Sequence, residues 1–405
     1  MTRILAIALT LFALPALGQM AAEPTPTAEP SPLAVALSRE MTTSSGDVFG
    51  DDDGGPMSIR ALLQTRYGQS WPLSVRPGER ALVQANDGWR VERAFVRLSA
   101  KPTTWLTGKI LLDFAALRDG NAIQTVKLAY AEVEPASRVK ITAGLFKRSY
   151  SLLELLPIAE YEFADTGLAD TLIQDTGFGG RDMGAMVAVQ PLPKKKWLKL
   201  FVAAFQGGHI ATDARPDGLL TARAESTPVK HLHLGADVAW RRAQTAPNIL
   251  PVDGPQDAGM AWSADAMLQF DTWEVRAEML GGDRTDVLHR ANPEVGADAK
   301  SFLGAWLLGV YRIPVRTAVV MPALRLEWLD TDRDRPVGGH LLASGALNID
   351  FGGRVRLLLD LTRQWVQDNT IPIGQKPKGD TDLGTYMTFH DAAYWKFVTQ
   401  LQVRL

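Results

Sequence analysis

Apolar and polar residues alternate along sixteen segments between Met57 and the end of the chain. Alternation with a period of two residues is typical of β-strands that have one apolar and one polar face. Most of the segments run about nine to thirteen residues, which exceeds ordinary soluble strands and suits a tilted crossing of a lipid bilayer. The segments are 57–69, 89–100, 105–116, 126–134, 139–146, 182–190, 197–205, 219–227, 231–242, 259–270, 272–280, 302–312, 320–330, 341–351, 354–366 and 393–405.

The segment 231–242 shows how the two faces differ. Leu234, Val238 and Trp240 share one face, and His233 and Asp237 lie on the other. In water, so broad an apolar face needs a second sheet to cover it. In a membrane the lipid covers it, and a closed barrel satisfies every backbone N–H and C=O group.

The connections between these segments alternate in length. Short connections are 101–104, 135–138, 191–196, 228–230 and 352–353, and long connections are 70–88, 147–181, 243–258, 281–301 and 367–392. Outer-membrane barrels show this asymmetry, with short periplasmic turns and long external loops. The sequence therefore predicts an all-β fold, a 16-stranded antiparallel transmembrane β-barrel over residues 57–405, with fourteen or eighteen strands as alternatives. An even strand count places both termini on the periplasmic side.

The connection 147–181 is unusually long for a compact fold and is rich in Leu, Ile, Tyr and Phe. That composition favours a folded loop packed inside the barrel over disorder. Charged residues lie at the base of this connection and along it: Lys147, Arg148, Glu154, Glu160, Glu162, Asp165 and Arg181.

The N-terminus has the features of an export signal. Arg3 precedes the apolar run Ile4 to Leu14, and Ala16 and Gly18 are small residues at the −3 and −1 positions of a cleavage site. Residues 1–18 are therefore predicted to be a signal peptide. Residues 19–56 are Pro-rich and low in aromatic residues, which predicts an extended or disordered periplasmic lead.

Composition narrows the classes of function. The chain is 46% hydrophobic but has a mean hydropathy of only −0.05, which suits a barrel with one apolar and one polar face. The net charge of −2 argues against a nucleic-acid partner. The absence of cysteine excludes disulfides, thiolate metal sites and cysteine nucleophiles.

Basic residues modestly outnumber acidic residues on the face that alternation turns toward the lumen. Rings of Arg or Lys favour anions in a pore, because the low-dielectric wall focuses their field on the permeating ion. The alternative is that these charges pair with one another across strands and solvate a wet lumen. The predicted pore-lining basic residues are Arg60, Arg66, Arg93, Arg97, Lys109, Lys127, Arg325, Arg354 and Arg356.

A barrel-embedded hydrolase would need a nucleophile, a histidine and an orienting partner at one rim. The chain has six histidines and no Gly-x-Ser-x-Gly block. His231 and His233 share a face and would be able to ligate a metal, but no third ligand is evident. No catalytic residue, metal site or cofactor is therefore predicted.

Gly144 to Ser151 (GLFKRSYS) and Gly180 to Gly184 (GRDMG) are the two most specific motifs in the chain. The first resembles the approach to the third loop in the phosphate-selective porins O and P of Gram-negative outer membranes, and the second resembles the start of that family's following strand. Further likenesses lie at Arg93 to Leu98, Leu111 to Phe114, Arg325 to Glu327 and Gly345 to Asn348. The resemblance implies an outer-membrane location and a third loop that folds inward and sets the narrowest point. It also implies a homotrimer, contact with outer-membrane lipid and insertion by the barrel assembly machinery.

These observations together predict a porin for passive diffusion of small hydrophilic solutes, with a mild preference for anions that extends to phosphate. The alternative is a structural barrel that anchors the outer membrane to the cell envelope through its Pro-rich lead.

Overall fold

A computed structural model describes residues 56–74, 87–118, 125–192, 197–206, 218–241, 259–284, 300–330, 333, 339–366 and 393–405. The predicted signal peptide, 1–18, and all but the last residue of the predicted lead, 19–56, lie outside the described residues. In the described part of the chain, no helix has both the length and the apolar character needed to cross a membrane.

Sixteen antiparallel strands form a closed β-barrel, which confirms the predicted strand count. The strands are β1 Met57–Ser74, β2 Gly88–Thr103, β3 Leu106–Asp113, β4 Val126–Ala136, β5 Val139–Lys147, β6 Arg181–Val189, β7 Leu198–Phe205, β8 Leu219–Val229, β9 Leu232–Arg241, β10 Gly259–Gln269, β11 Trp273–Arg284, β12 Lys300–Tyr311 with its continuation Ile313–Val315, β13 Ala318–Asp330, β14 Gly339–Phe351, β15 Val355–Val366 and β16 Ala393–Arg404. Each strand pairs with its neighbours in sequence, and β1 pairs with both β2 and β16. Closure leaves no free sheet edge. A sheet in lipid requires this, because no water is present to pair with the backbone groups of an open edge.

β12 is the one place where an observed strand is interrupted. Lys300–Tyr311 and Ile313–Val315 both pair with β13, so they are two parts of one strand. Arg312 lies between them, and its backbone N–H donates to the carbonyl oxygen of Thr272 at 2.6 Å. This bond continues the pairing of β11 with β12 by one residue beyond Trp273 and Tyr311.

The lengths of the connections confirm the predicted alternation. The end of the barrel that holds Met57 and Arg404 has connections of two to eight residues, and the opposite end has connections of eight to thirty-three residues. The turn between β14 and β15 needs a special backbone conformation. Gly352 and Gly353 have φ values of 62° and 74°, a region where a side chain would be strained.

The barrel reverses the burial pattern of a soluble protein. Its outer surface is apolar, with Val238 52% and Trp240 40% exposed on β9, whereas His233 and Asp237 on the lumen face are 4% and 2% exposed. Lipid would cover the first set, and the barrel interior surrounds the second. The predicted assignment of the faces of this strand is therefore confirmed.

Among the described residues of the connections there are three short helices. α1 is Ala115–Arg118, between β3 and β4. α2, Leu152–Leu155, and α3, Leu168–Asp175, lie between β5 and β6 with a 3-10 turn at Ile158–Glu160. Residues 148–180, which we call the inward loop, contact lumen-facing side chains of distant strands.

Candidate functional site in the barrel lumen

The base of the inward loop is held by the charged residues that flank it. The Lys147 ammonium donates to the carbonyl oxygens of Glu154 and, at 3.4 Å, Leu156. The Arg148 guanidinium donates to the carbonyl oxygen of Gly179 at 2.8 Å and to the Asp182 carboxylate at 2.9 Å. Lys147 and Arg148 are both buried, so they fasten the loop and do not present charge to a solute.

Glu154 completes this fastening from within the loop. Its carboxylate accepts a hydrogen bond from the backbone N–H of Gly180 at 2.9 Å.

Burial, and then the neighbouring Glu154 charge, raise the pKa of Asp170 to about 7, while Lys147 and a hydrogen bond from Gln174 act against the rise. Asp170 therefore titrates near neutral pH in the folded loop.

The first part of the loop is fixed to β8–β11. The Ser149 hydroxyl lies 2.7 Å from the Thr221 hydroxyl on β8, and the Tyr150 hydroxyl donates to the carbonyl oxygen of Trp262 on β10. Ser151 has a φ of 70°, which is strained for a residue with a side chain. Its backbone N–H donates to Asp237 at 3.3 Å and its hydroxyl to Glu278 at 3.0 Å, and these bonds hold the strained conformation in place.

The middle of the loop meets charged side chains on β11, β16 and β1. Glu162 accepts two parallel hydrogen bonds from the Arg276 guanidinium, at 2.9 and 3.0 Å, which is the strongest geometry for such a pair. Asp165 is paired with Arg66 at 2.8 Å and with Lys396 at 2.5 Å. Burial alone would raise the pKa of Asp165, but Lys396 and Arg66 hold it well below its usual range.

Side chains of β13–β16 satisfy the backbone of the loop. Arg325 donates to the carbonyl oxygen of Asp165 at 2.8 Å and lies over the Phe163 ring at 4.5 Å. Glu327 accepts from the backbone N–H of Ala169 at 3.1 Å, and a Cβ on Gly167, whose φ is 102°, would overlap its carboxylate. Similar bonds to loop backbone come from Arg356, Asp360, Asn348, Gln402 and Arg404. We call the strands β8–β16, with these contacts, the bridged wall.

The wall formed by β2, β4 and β6 carries three cations that are only half-buried: Arg93, Lys127 and Arg181. We call them the basic cluster. They lie close enough to repel one another, and Asp113 on β3, 3.8 Å from Lys127, is the carboxylate nearest to that ammonium among the described ion pairs. Arg93 donates to the neutral amide oxygen of Gln64 at 2.8 Å, and the Nε of Arg181 has no hydrogen-bond partner among the described residues.

The remaining predicted residues are placed as follows. Arg60, Arg97 and Lys109 lie on the lumen face of β1, β2 and β3, and Lys109 lies 6.0 Å from the centre of the Tyr130 ring. Arg325 and Arg356 belong to the bridged wall, where the inward loop uses them. Arg354 is not on a strand, since β15 begins one residue later and Arg354 lies exposed in the preceding turn. Glu160 ends the 3-10 turn of the loop and is partly exposed.

Two sets of residues with clear roles were not among the predicted sites. Lys396 and Arg276 hold the acids of the loop, and Asp237 and Glu278 hold its beginning. Alternation places all four on the lumen face, which is the signal that the sequence offers. Their partners are more than eighty residues away in the sequence, so no local spacing indicates them.

No protein-family model and no curated protein matches this chain. Solved structures do resemble it in fold. An anion-selective porin from Comamonas acidovorans is 10% identical with a TM-score of 0.56, over 86% of this chain and 99% of that chain. The OmpF of Salmonella typhi in complex with daunomycin is 10% identical with a TM-score of 0.58, over 86% and 97%. The outer membrane channel DcaP of Acinetobacter baumannii is 13% identical with a TM-score of 0.53, over 86% and 97%. These likenesses show the fold, which is that of outer-membrane β-barrels.

Proposed function

We propose that this chain is an outer-membrane porin that lets small hydrophilic solutes diffuse passively, and that it is not an enzyme. The observation that carries the proposal is a closed sixteen-stranded barrel with a folded loop inside it and half-buried cations opposite. A polar lumen within an apolar outer surface is the general design of a diffusion pore. The neighbours of like fold include proteins described as porins and as an outer membrane channel.

We further propose a mild preference for anions, with phosphate among them. The basic cluster supports this preference, because Lys396 and Arg325 of the bridged wall have carboxylate or carbonyl partners from the loop, whereas the carboxylate nearest to Lys127 among the described ion pairs is Asp113, 3.8 Å away. The guanidinium groups of Arg93 and Arg181 present forked donors that match a phosphate or carboxylate. The sequence resemblance to phosphate-selective porins supports the same reading.

The inward loop is proposed to set the narrowest point of the pore. Solutes would then pass between this loop and the wall formed by β2–β4 and β6. A homotrimer is part of the proposal, and one neighbour of similar fold, OmpT of Vibrio cholerae, is described in a trimer form. The anchoring alternative depends on residues 19–56, which lie outside the described residues but for Pro56.

The proposal is tested by recording the purified protein in a planar bilayer under a KCl gradient, first without and then with millimolar phosphate. We expect open channels, a reversal potential of the sign for anion selectivity, and a decrease of chloride current when phosphate is added. Cation-selective channels without phosphate block would leave a porin but remove the anion preference. The absence of channels from correctly folded barrels would overturn the pore.

A further inference from the structure

Three acids on neighbouring strands meet behind the beginning of the inward loop. Asp237 on β9, Asp265 on β10 and Glu278 on β11 each have a carboxylate oxygen within 4.8 Å of the other two, and all three are at most 5% exposed. We call them the acid cluster. Buried carboxylates so close together repel one another and require a compensating positive charge or a proton.

One guanidinium supplies part of that charge, and it uses only one oxygen of each aspartate. Arg223 on β8 donates to Asp237 Oδ2 at 2.5 Å and to Asp265 Oδ2 at 2.8 Å, and its Nε pairs with Glu225 at 2.7 Å. Asp237 Oδ2 also accepts from the Ser263 hydroxyl at 2.7 Å. The Oδ1 atoms of both aspartates are buried and have no hydrogen-bond partner among the described residues.

A histidine from outside the acid cluster is aimed at one of these oxygens. His233 Nε2 lies 3.7 Å from Asp265 Oδ1, the side chain is buried, and Nε2 has no hydrogen-bond partner among the described residues. This distance is too long for a hydrogen bond. It is close to the separation of about 3.4 Å between two ligands of one tetrahedral metal ion with bonds of about 2.1 Å.

The sequence signal of a histidine pair is thereby resolved into one candidate ligand. His231 adopts a φ of 74° in the turn before β9, its ring stacks on Phe270 at 4.6 Å, and its Nδ1 lies 2.7 Å from the carbonyl oxygen of Gln269. Of the two histidines, only His233 is a candidate ligand in the lumen. The acids near it, which the sequence did not reveal as ligands, are Asp237 on β9 and Asp265 on β10.

The charge of this region suits a bound cation. If all are ionised, the four carboxylates Glu225, Asp237, Asp265 and Glu278 and the one guanidinium sum to −4 + 1 = −3. Gly235 lies between His233 and Asp237 on the lumen face of β9, and a Cβ there would overlap the Asp265 carboxylate and the Arg223 guanidinium. A glycine at this position lets the Asp265 carboxylate and the Arg223 guanidinium pack closely against the backbone of β9.

We propose that His233 Nε2 and Asp265 Oδ1 bind one divalent transition-metal ion, with Asp237 and Glu278 as the neighbouring carboxylates. One imidazole with two or three carboxylate oxygens is a donor set that suits Zn²⁺ or Mn²⁺ better than a soft ion such as Cu(I). Because Asp237 and Glu278 also hold Ser151, the ion would tie the start of the inward loop to the wall.

In the test, the full-length, detergent-purified barrel is first treated with a chelator. The metal that it then binds is measured. We expect one Zn²⁺ per chain above background by elemental analysis and a titration with a single saturable site, with Mn²⁺ competing. Asp265→Asn is expected to weaken Zn²⁺ binding by at least about tenfold. His233→Gln leaves the Arg223 network in place and is expected to weaken it to a similar extent.

Asp283→Asn is the matched control, because this carboxylate lies on β11 outside the acid cluster and contacts the backbone N–H of Met260. It is expected to bind Zn²⁺ like the unmodified chain. Heat-modifiable migration in gel electrophoresis confirms that each variant is a folded barrel. Zn²⁺ and Mn²⁺ binding that is absent, or unchanged in the folded His233→Gln variant, would overturn the site. Neither result bears on channel activity, which is measured separately.

Discussion

The bridged wall and the basic cluster use the same kinds of residue in opposite ways. On the bridged wall, Arg276 and Lys396 are paired with Glu162 and Asp165 of the inward loop. In the basic cluster, Lys127 has a single carboxylate at 3.8 Å, and the neighbouring charges of Arg181 and Arg93 are repulsive. Lys396 is therefore structural because the loop brings it an acid, whereas Lys127 has no loop acid among its described ion pairs and is available to a solute.

The largest effect is expected from removing the element that distinguishes the two walls. Replacing residues 152–178 by a short Gly-Ser segment keeps the strand ends and removes the contacts that these residues make to the bridged wall. We expect the single-channel conductance to rise several-fold, because the loop no longer occupies the lumen. An equally large change on shortening the connection 367–392 instead, or no change in either variant, would contradict a constricting inward loop.

Neutralising the basic cluster should have the next largest effect. The triple variant Arg93→Gln, Lys127→Gln, Arg181→Gln is expected to shift the reversal potential under a KCl gradient toward cations and to abolish block by phosphate. Arg316→Gln is the control, because this arginine lies in the exposed turn between β12 and β13. A similar shift in the control would mean that overall charge, and not the cluster, sets selectivity.

A smaller effect is expected from loosening one contact of the bridged wall. Asp165→Asn weakens the pairs with Arg66 and Lys396 while keeping the size of the side chain. We expect more frequent brief closures in single-channel records, with little change in mean conductance. Glu134→Gln removes an exposed partner of Lys140, 3.4 Å away, and is expected to behave like the unmodified chain. Single-channel records of the Asp165→Asn variant without additional closures would show that these pairs do not restrain the loop.

The smallest effect concerns pH. The pKa of Asp170 rises from 3.8 to about 7 in the docked loop, so between these values the docked state holds a proton that the released state does not. Loop docking is therefore strongest below about pH 4 and weakens as pH rises to about 7, by up to about tenfold per pH unit. Amide hydrogen exchange of residues 165–176 should show less protection at pH 7 than at pH 5. Asp170→Asn should remove this contribution, and an unchanged pH dependence would assign it to another group.

The barrel was predictable because its signals are local. Each strand carries its own alternation, and the sixteen predicted segments overlap the sixteen observed strands. The length of the 147–181 connection and its apolar residues predicted a folded loop without showing its contacts. Residues such as Leu152 and Phe163 need a covered environment, and the lumen supplies it.

The division of the lumen into two walls was not predictable. Alternation places Arg325 and Lys127 on the lumen face alike. Arg325 donates to the loop carbonyl oxygen of Asp165, whereas Lys127 pairs with Asp113 on the neighbouring strand. Which strand a loop residue reaches depends on the path of the loop through the barrel. Residues separated by more than one hundred positions, such as Glu162 and Arg276, are brought together only by that path.

The central claim is that solutes pass along the basic cluster while the inward loop covers the bridged wall. Because the chain has no cysteine, single cysteines can be introduced and labelled without background. We would compare Lys127→Cys on β4 with Ser344→Cys on β14, where the serine is 1% exposed, using an anionic thiol reagent on the protein in liposomes. The account predicts labelling at least tenfold faster at position 127 than at position 344. Equal rates, or faster labelling at 344, would contradict it.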